Sequence, residues 1–269
     1  MAPSRNLLTL TDQDFIRVRD LAHSACGLSL HEAKRALVSS RLDHVVRRNG
    51  FASYSNYLAY ISQKKNGEEF IEFIDTLTTN HSGFWREPEH FTFLRDKIMP
   101  FHRSRLRVWS AACATGEEPY TLGMCALEST VSNCRITASD ISRAALNTAV
   151  RGAYEPSKVA PLPGGWPDRY FKTSRSSGMA VCSVAEQVRA LVDFGPLNLL
   201  QPFGHLGVFD VIFCRNVMIY FDQATRDTLV ECLAQQLVPG GYLFTGHSET
   251  LLQLPPSLQY VQPATYRRS

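Results

Sequence analysis

No C-x-x-C pair occurs among the 7 cysteines, which are scattered and odd in number. That excludes a regular disulfide framework and a structural zinc site and suits reduced thiols, so no metal is expected. Nor does any apolar run approach the roughly 18 residues that span a bilayer. The best stretch, Val211 to Phe221, is short and contains Arg215. The opening Met-Ala-Pro-Ser-Arg leads into no signal-like apolar segment. The expectation is a cytoplasmic chain with no direct membrane insertion. Charge of one sign is scarce as well: 28 Lys and Arg against 25 Asp and Glu leave a net +3, too mild to argue for nucleic acid as a partner. There is no internal repeat and no low-complexity tract. Nothing marks an obligate dimer, so a monomer is expected.

What is present is a chain of 269 residues, 44% hydrophobic and 20% charged, enough for one large domain or a medium one plus a small one. Residues 1–78 read as a small all-helical domain. Thr11 opens a helix that Gly27 stops. Ser29 and Glu32 have capping-box spacing for a second helix reaching toward Gly50. Further helical stretches lie near Ser53–Lys64 and Glu68–Leu77. From Leu106 the pattern changes to short apolar runs alternating with helices. The runs are Arg107–Cys113, Cys134–Asp140, Phe209–Cys214 and Gly241–Thr245; the helices are Glu118 to about Val131, Ser142 to Arg151 and Gln223–Leu237. That grammar predicts a parallel sheet covered on both faces. Residues 152–190 interrupt it with a Pro-, Gly- and Ser-rich piece around Met179–Val184, read as an inserted antiparallel element. The fold class is therefore α/β, a Rossmann-like sheet over 79–269 with a helical N-terminal domain and a small β insertion.

Open parallel sheets bind ligands at the carboxyl ends of their strands. The first strand–turn–helix carries Ser110-Ala-Ala-Cys-Ala-Thr-Gly116, in which Ala111, Cys113 and Gly116 take the glycine places of a dinucleotide loop. Glu117 and Glu118 at the following helix start would repel a pyrophosphate and attract a cation. Asp140 ends the second strand, where a carboxylate can accept from ribose hydroxyls. A nucleoside with a cationic tail and no phosphate satisfies both acids; S-adenosylmethionine has that chemistry and NAD does not.

Five segments occur in order: Thr78–Glu87 (TTNHSGFWRE), Ser110–Tyr120 (SAACATGEEPY), Ala138–Asp140, Phe213–Phe221 (FCRNVMIYF) and Gly246–Glu249 (GHSE). Together they resemble the chemotaxis-receptor glutamate methyltransferases of the CheR type, class I S-adenosylmethionine-dependent enzymes, over essentially the whole chain. The resemblance implies that Asn80, Ser82 (usually threonine) and Arg86 touch the cofactor, with Arg86 on the methionine carboxylate. It also implies Glu118 on the ammonium, Asp140 on the ribose, and Asn198, Leu199, Arg215 and Asn216 as remaining cofactor contacts. Tyr220 looks like the tyrosine lining the methyl-transfer site and, with Arg86, forms the implied catalytic pair. Asn216 is followed by Val217-Met218 rather than by prolines, which disfavours a nitrogen acceptor. The implied partner is the cytoplasmic signalling domain of methyl-accepting receptors.

Lys34, Arg41 and Arg48 recur every seven residues, a spacing that keeps them on one helix face with about 20° of drift per step. The resemblance places substrate contacts on this helix, so the stripe is a candidate docking surface for acidic receptor helices. The insertion matches a subdomain that in some members of the family adds a receptor's C-terminal peptide as a strand. The residues alone leave open a methyltransferase acting on another acceptor and a non-catalytic binding module.

Overall fold

The computed structural model describes residues 8–64, 67–78, 80–176, 178–251 and 253–269. The opening segment and Thr79 of the TTN motif lie outside them. The chain forms two compact units, Met1–Thr79 with Tyr220–Asp222, and Asn80–Ile219 with Gln223–Ser269.

The first unit contains α1 (Asp12–Cys26), α2 (Arg35–Arg48), α3 (Tyr54–Gln63) and α4 (Glu68–Leu77). Two of the starts, those of α1 and α3, have a side-chain cap. Thr11 accepts from the Asp14 N–H while Asp14 reaches back to the Thr11 N–H, a reciprocal cap. Ser53 caps α3 through the Asn56 N–H. Gly27 ends α1 in the left-handed region at φ +71°. Val18, Val38, Leu42, Val46, Leu58, Ile61 and Phe73 form the interior, each at most 2% exposed.

The capping box expected at Ser29 and Glu32 does not form. Ser29 instead donates its N–H to the Tyr220 carbonyl (2.7 Å), and Glu32 accepts from Arg35. A 3-10 turn, Glu32–Lys34, leads into α2. The arginine competes for the acid that the cap needed.

The second unit begins with α5 (Pro88–Phe93), prolonged by a π-helical turn (Leu94–Ile98). There follow β1 (Leu106–Ala111), α6 (Glu117–Leu127), β2 (Cys134–Asp140), α7 (Arg143–Arg151), β3 (Ala153–Tyr154), α8 (Pro156–Val159), α9 (Trp166–Tyr170), β4 (Phe171–Ser176), β5 (Met179–Val184), α10 (Glu186–Arg189), β6 (Val192–Pro196), β7 (Phe209–Cys214), α11 (Gln223–Gln235), β8 (Leu237–Thr245), β9 (Leu258–Gln262) and β10 (Thr265–Arg268). Seven strands make one sheet in the order β6-β2-β1-β7-β8-β10-β9, and β3-β5-β4 make a second. The first five strands of the large sheet pair in parallel; β10 runs antiparallel to both β8 and β9. The chain winds outward from β1 in both directions, so the switch in strand order falls between β1 and β7. The small antiparallel sheet is the expected insertion.

Several strands were not legible. Val192-Asp-Phe-Gly-Pro196 is poor in strand formers, yet it pairs as the edge strand β6, where a proline is tolerated. In β8, Pro239 and Gly240 lie ahead of the strand expected at Gly241–Thr245. They accompany a register shift opposite Phe209–Val211, with Gly240 at φ +80°, so the strand starts at Leu237 rather than Gly241. The terminal β9–β10 pair went unread, and α6 stops at Leu127 rather than near Val131.

The core includes a row of stacked rings: Phe91 on Phe213 (centroids 5.8 Å) and Phe213 on Phe244 (4.4 Å). All three are at most 1% exposed, and burying each side chain contributes about 1.5–3 kcal/mol. Among the described residues, no helix is long and apolar enough to cross a membrane.

Candidate functional site

Four adjacent parallel strands, β6, β2, β1 and β7, deliver their carboxyl ends to one edge. The predicted site residues sit directly at or after these strand ends. Asn198 and Leu199 succeed β6, β2 ends on Asp140, β1 runs into Ala112–Gly116, and β7 runs into Arg215 and Asn216. Parallel register alone therefore gathers residues up to about a hundred positions apart.

The turn after β1 differs from a glycine loop in where its unusual backbone lies. Ala112 (φ +60°) and Ala114 (φ +47°) are left-handed, not Ala111 and Cys113, which stand at the glycine places. Left-handed alanine is strained, by an order of 1–3 kcal/mol per residue. Gly116 (φ +93°) has a packing reason: a Cβ there would fall 2.7 Å from the Ala149 Cβ. The Ala114 N–H donates to Asp140 Oδ2 (2.8 Å). Asp140 Oδ1 accepts from the Ser142 N–H (2.8 Å), and Asn80 Nδ2 donates to the Ser142 hydroxyl (3.2 Å). The Leu197 N–H bonds the Asp140 carbonyl (3.0 Å), joining the Asn198 loop to the same residue. Asn80, Asp140 and Asn198 are thus brought together through short links.

The two acids that open α6 separate cleanly. Glu117 is buried, ion-paired to Lys158 (2.6 Å) and bonded by the Thr115 hydroxyl (2.6 Å). Glu118 keeps 14% of its side chain exposed, accepts from the Ser110 hydroxyl (2.7 Å) and faces Arg215 Nη1 (3.3 Å). Burial pushes the Glu118 carboxyl above its ordinary range, and Arg215 opposes that.

Arg215 is the centre of charge. Its side chain is 2% exposed, pairs with Glu87 (3.0 Å) and Glu118 (3.3 Å), donates to the Arg86 carbonyl (2.5 Å), and lies over the Phe91 and Phe213 rings (5.4 and 5.9 Å). Among the described residues, its Nε has no hydrogen-bond partner. Glu87 also accepts from Asn216 Nδ2 (3.2 Å) and the His247 N–H (3.3 Å). Burial works to raise the Glu87 carboxyl, but Arg215, Asn216 and the neighbouring histidines outweigh it and hold it below its ordinary range. Arg86 itself is half-buried and donates to the His81 carbonyl (3.0 Å); Ser82 is half-buried in the same segment.

Two acids of the quoted motifs carried no assigned role, Glu87 and Glu249, and both prove to be structural anchors of this edge. Glu87 follows the assigned Arg86 in the sequence, whereas Glu249 meets Asn216 only through the fold. Glu87, His90 and His247 also place three ligand-type atoms within 4.8 Å of one another. A cation there would share Glu87 with the Arg215 guanidinium, an arrangement like-charge repulsion opposes. A groove of about 650 Å³ lies between residues 199–204 and α11, lined by Leu199, Pro202, Phe203, Thr228 and Cys232 among others. Among the described residues its lining carries no charged side chain and includes neither Glu118 nor Asp140.

The remaining predicted residues belong to the helical unit. Tyr220 lies there with Lys34 Nζ 5.3 Å from its ring centroid. Arg41 donates to the Leu77 and Thr78 carbonyls (2.8 and 3.0 Å), and Arg48 pairs with Glu72. Of the expected basic stripe, two members turn to α4 and only Lys34 turns to Tyr220.

The donor set fits S-adenosylmethionine: carboxylates at Glu118 and Asp140, an unsatisfied guanidinium N–H beside them, and no phosphate cradle, because Glu117 and Glu118 occupy the first turn of α6. The comparisons agree. The family model described as "CheR methyltransferase, SAM binding domain" matches residues 80–266, and "CheR methyltransferase, all-alpha domain" matches 13–78. A "Chemotaxis protein methyltransferase" of Borreliella burgdorferi is 35% identical, covering 97% of this chain and 96% of its own. "Chemotaxis protein methyltransferase 2" of Pseudomonas aeruginosa is 36% identical, covering 95% and 93%. The Escherichia coli "Chemotaxis protein methyltransferase" is 37% identical, covering 92% and 87%. A helical unit, a parallel sheet with acids at its carboxyl edge, and matches that run through both make one conclusion: the chain belongs to the CheR methyltransferase family and is an S-adenosylmethionine-dependent methyltransferase.

Proposed function

We propose that this enzyme methylates glutamate side chains in the cytoplasmic signalling domain of chemotaxis receptors, giving glutamate methyl esters and S-adenosylhomocysteine for sensory adaptation. When bound, S-adenosylmethionine supplies a methyl group activated by a sulfonium. Glu118 holds the ammonium, Arg86 the methionine carboxylate and Asp140 the ribose. The Ala114 and Ser142 N–H groups hold the Asp140 carboxylate at the end of β2, and a carboxylate is an acceptor that suits ribose hydroxyls. Asn80, Ser82, Asn198, Leu199, Arg215 and Asn216 complete the cofactor contacts.

The acceptor dictates the rest. A solvated glutamate has a pKa of about 4.3 and is an anion at neutral pH, so no side chain has to remove a proton. The protein's work is alignment and exclusion of water. Tyr220 orients the acceptor through its hydroxyl, and Lys34 beside it attracts the incoming carboxylate. In this reading residues 1–78 dock the receptor, 79–269 carry out transfer, and the insertion at 152–190 receives a receptor C-terminal peptide. The enzyme works as a cytoplasmic monomer.

The observation that carries the reading is the contrast within Glu117-Glu118. One acid is buried and fully partnered, while its neighbour stays reachable at the same edge as Asp140. The test is transfer of tritiated methyl to a panel of receptor fragments with and without their C-terminal tails. Methanol release from the product in mild alkali is expected of an ester. A base-stable product would redirect the reading to another acceptor, and cofactor binding without transfer to a non-catalytic module. Asp140→Ala should weaken S-adenosylhomocysteine binding by roughly 1.5–3 kcal/mol, the scale of hydrogen bonds to a charged group; unchanged affinity by calorimetry would remove the ribose role.

A further inference from the structure

The segment after β7 has to hold Arg215 and Asn216 at the sheet edge and then hand the chain to Tyr220, yet little of its own sequence fixes it. Asn216 is left-handed at φ +59°, a conformation uncommon outside glycine that asparagine tolerates better than most residues. Only a short 3-10 turn, Met218–Tyr220, comes after it. The backbone N–H groups of such a turn need acceptors.

One side chain provides them. Glu249, 5% exposed, extends its carboxylate into the turn from the loop after β8. Oε2 accepts from the Asn216 N–H (2.7 Å) and the Gly246 N–H (2.8 Å). Oε1 accepts from the Ile219 N–H (3.1 Å). A Cβ on Gly246 would collide with Asn216 Nδ2 and lie 2.8 Å from Glu249 Oε2. The Gly246 backbone is therefore drawn against the same turn, and glycine is what allows it. Glu249 itself is returned to this position by its N–H donating to the Gly246 carbonyl (2.8 Å). Its environment is the backbone of the segment it shapes.

We propose that Glu249 is a positioning residue for methyl transfer: a buried carboxylate that templates the Asn216–Ile219 turn through backbone N–H groups, fixing where Arg215 and Asn216 meet the cofactor and where the next residue, Tyr220, begins. It touches neither substrate nor cofactor and acts through the turn. This rests on the roles of Arg215, Asn216 and Tyr220 given under Proposed function.

The experiment uses the full chain as Glu249→Ala and Glu249→Gln. It measures S-adenosylhomocysteine affinity by calorimetry and steady-state transfer to a receptor cytoplasmic fragment, at a temperature where circular dichroism shows each variant folded. Glu249→Ala leaves backbone donors without acceptors and is expected to weaken cofactor binding about tenfold or more and to lower kcat at least as much. The KM for the receptor fragment should stay at the wild-type value. Glu249→Gln keeps one acceptor oxygen but sets an amide NH2 against backbone donors, so its affinity and kcat should fall between the two. If Glu249→Ala does not fold, the glutamine variant decides alone. Variants less stable to heat but with wild-type affinity and kcat while folded would overturn the proposal, because Glu249 would then serve stability only. A rise confined to receptor KM would overturn it as well. Failure of the underlying reading looks different: the wild-type protein itself would bind no S-adenosylhomocysteine, or would bind it and leave the receptor fragment unmethylated.

Discussion

The basic residues of α2 and the single arginine after β7 carry the same charge under opposite conditions. Arg215 is sealed among Glu87, Glu118 and two aromatic rings. Lys34, Arg41 and Arg48 stand at or near the surface and look interchangeable by spacing. They are not: Arg41 satisfies the carbonyls that end α4, Arg48 pairs with Glu72, and Lys34 lies over Tyr220. A buried charge has its function dictated by what surrounds it. A surface charge has its function dictated by what it fails to find within its own fold.

The sharpest way to break this comparison is Arg215→Leu. Removing one partner of a buried ion pair leaves the other charges uncompensated, typically at a cost of 3–5 kcal/mol. Denaturant unfolding should show a loss of that order, and cofactor binding should vanish in the protein that remains folded. A change under about 1 kcal/mol would mean that Arg215 behaves like a surface cation.

The second test asks whether the sealed region excludes a further positive charge. His90 is fully buried. Burial first, and Arg215 next, push its pKa down from 6.5 to about 3. The folded state therefore binds the proton less readily than the unfolded one. The neutral ring's contribution is complete above pH 6.5 and is lost as pH falls from 6.5 toward 3. At about 1.4 kcal/mol per unit, the wild type should lose on the order of 5 kcal/mol more than His90→Phe across that window. Parallel stability–pH curves for the two proteins would contradict the account.

The smallest effects should fall on α2, and they should differ from residue to residue. Arg41→Ala removes a charged donor from two carbonyls and should cost about 1–2 kcal/mol of stability, with cofactor affinity unchanged. Lys34→Ala should leave stability within about 0.5 kcal/mol yet slow receptor methylation about fivefold at low salt, less at high salt. Equal behaviour of the two variants would favour a uniform docking stripe over this division.

The reading of the sequence succeeded where a feature is local. The Thr11 cap, the Gly27 stop, the extent Glu68–Leu77 and the strand Phe209–Cys214 are all set by residues within a turn or two of themselves. The reading failed where a distant partner intervenes: Arg35 takes the acid of the Ser29–Glu32 box, the β7 register converts Pro239-Gly240 into a bulge, and pairing to β2 makes a strand of Val192–Pro196. The site divides in the same way. Asp140 and Glu118 could be picked from strand ends and helix starts. Which of Glu117 and Glu118 remains reachable depended on Lys158, 41 positions away.

By itself, then, the sequence determined the alternation of strands and helices, the all-helical first part, the acids at the strand ends and the family those motifs resemble, because each is encoded in short-range pattern. The tertiary structure decided which charges are spent inside the fold and which are left to meet a ligand. It decided as well that Glu87 and Glu249 brace the turn after β7. The physical reason is that an ion pair or a backbone hydrogen bond forms between whatever groups packing brings within about 3 Å, and sequence separation does not enter that distance.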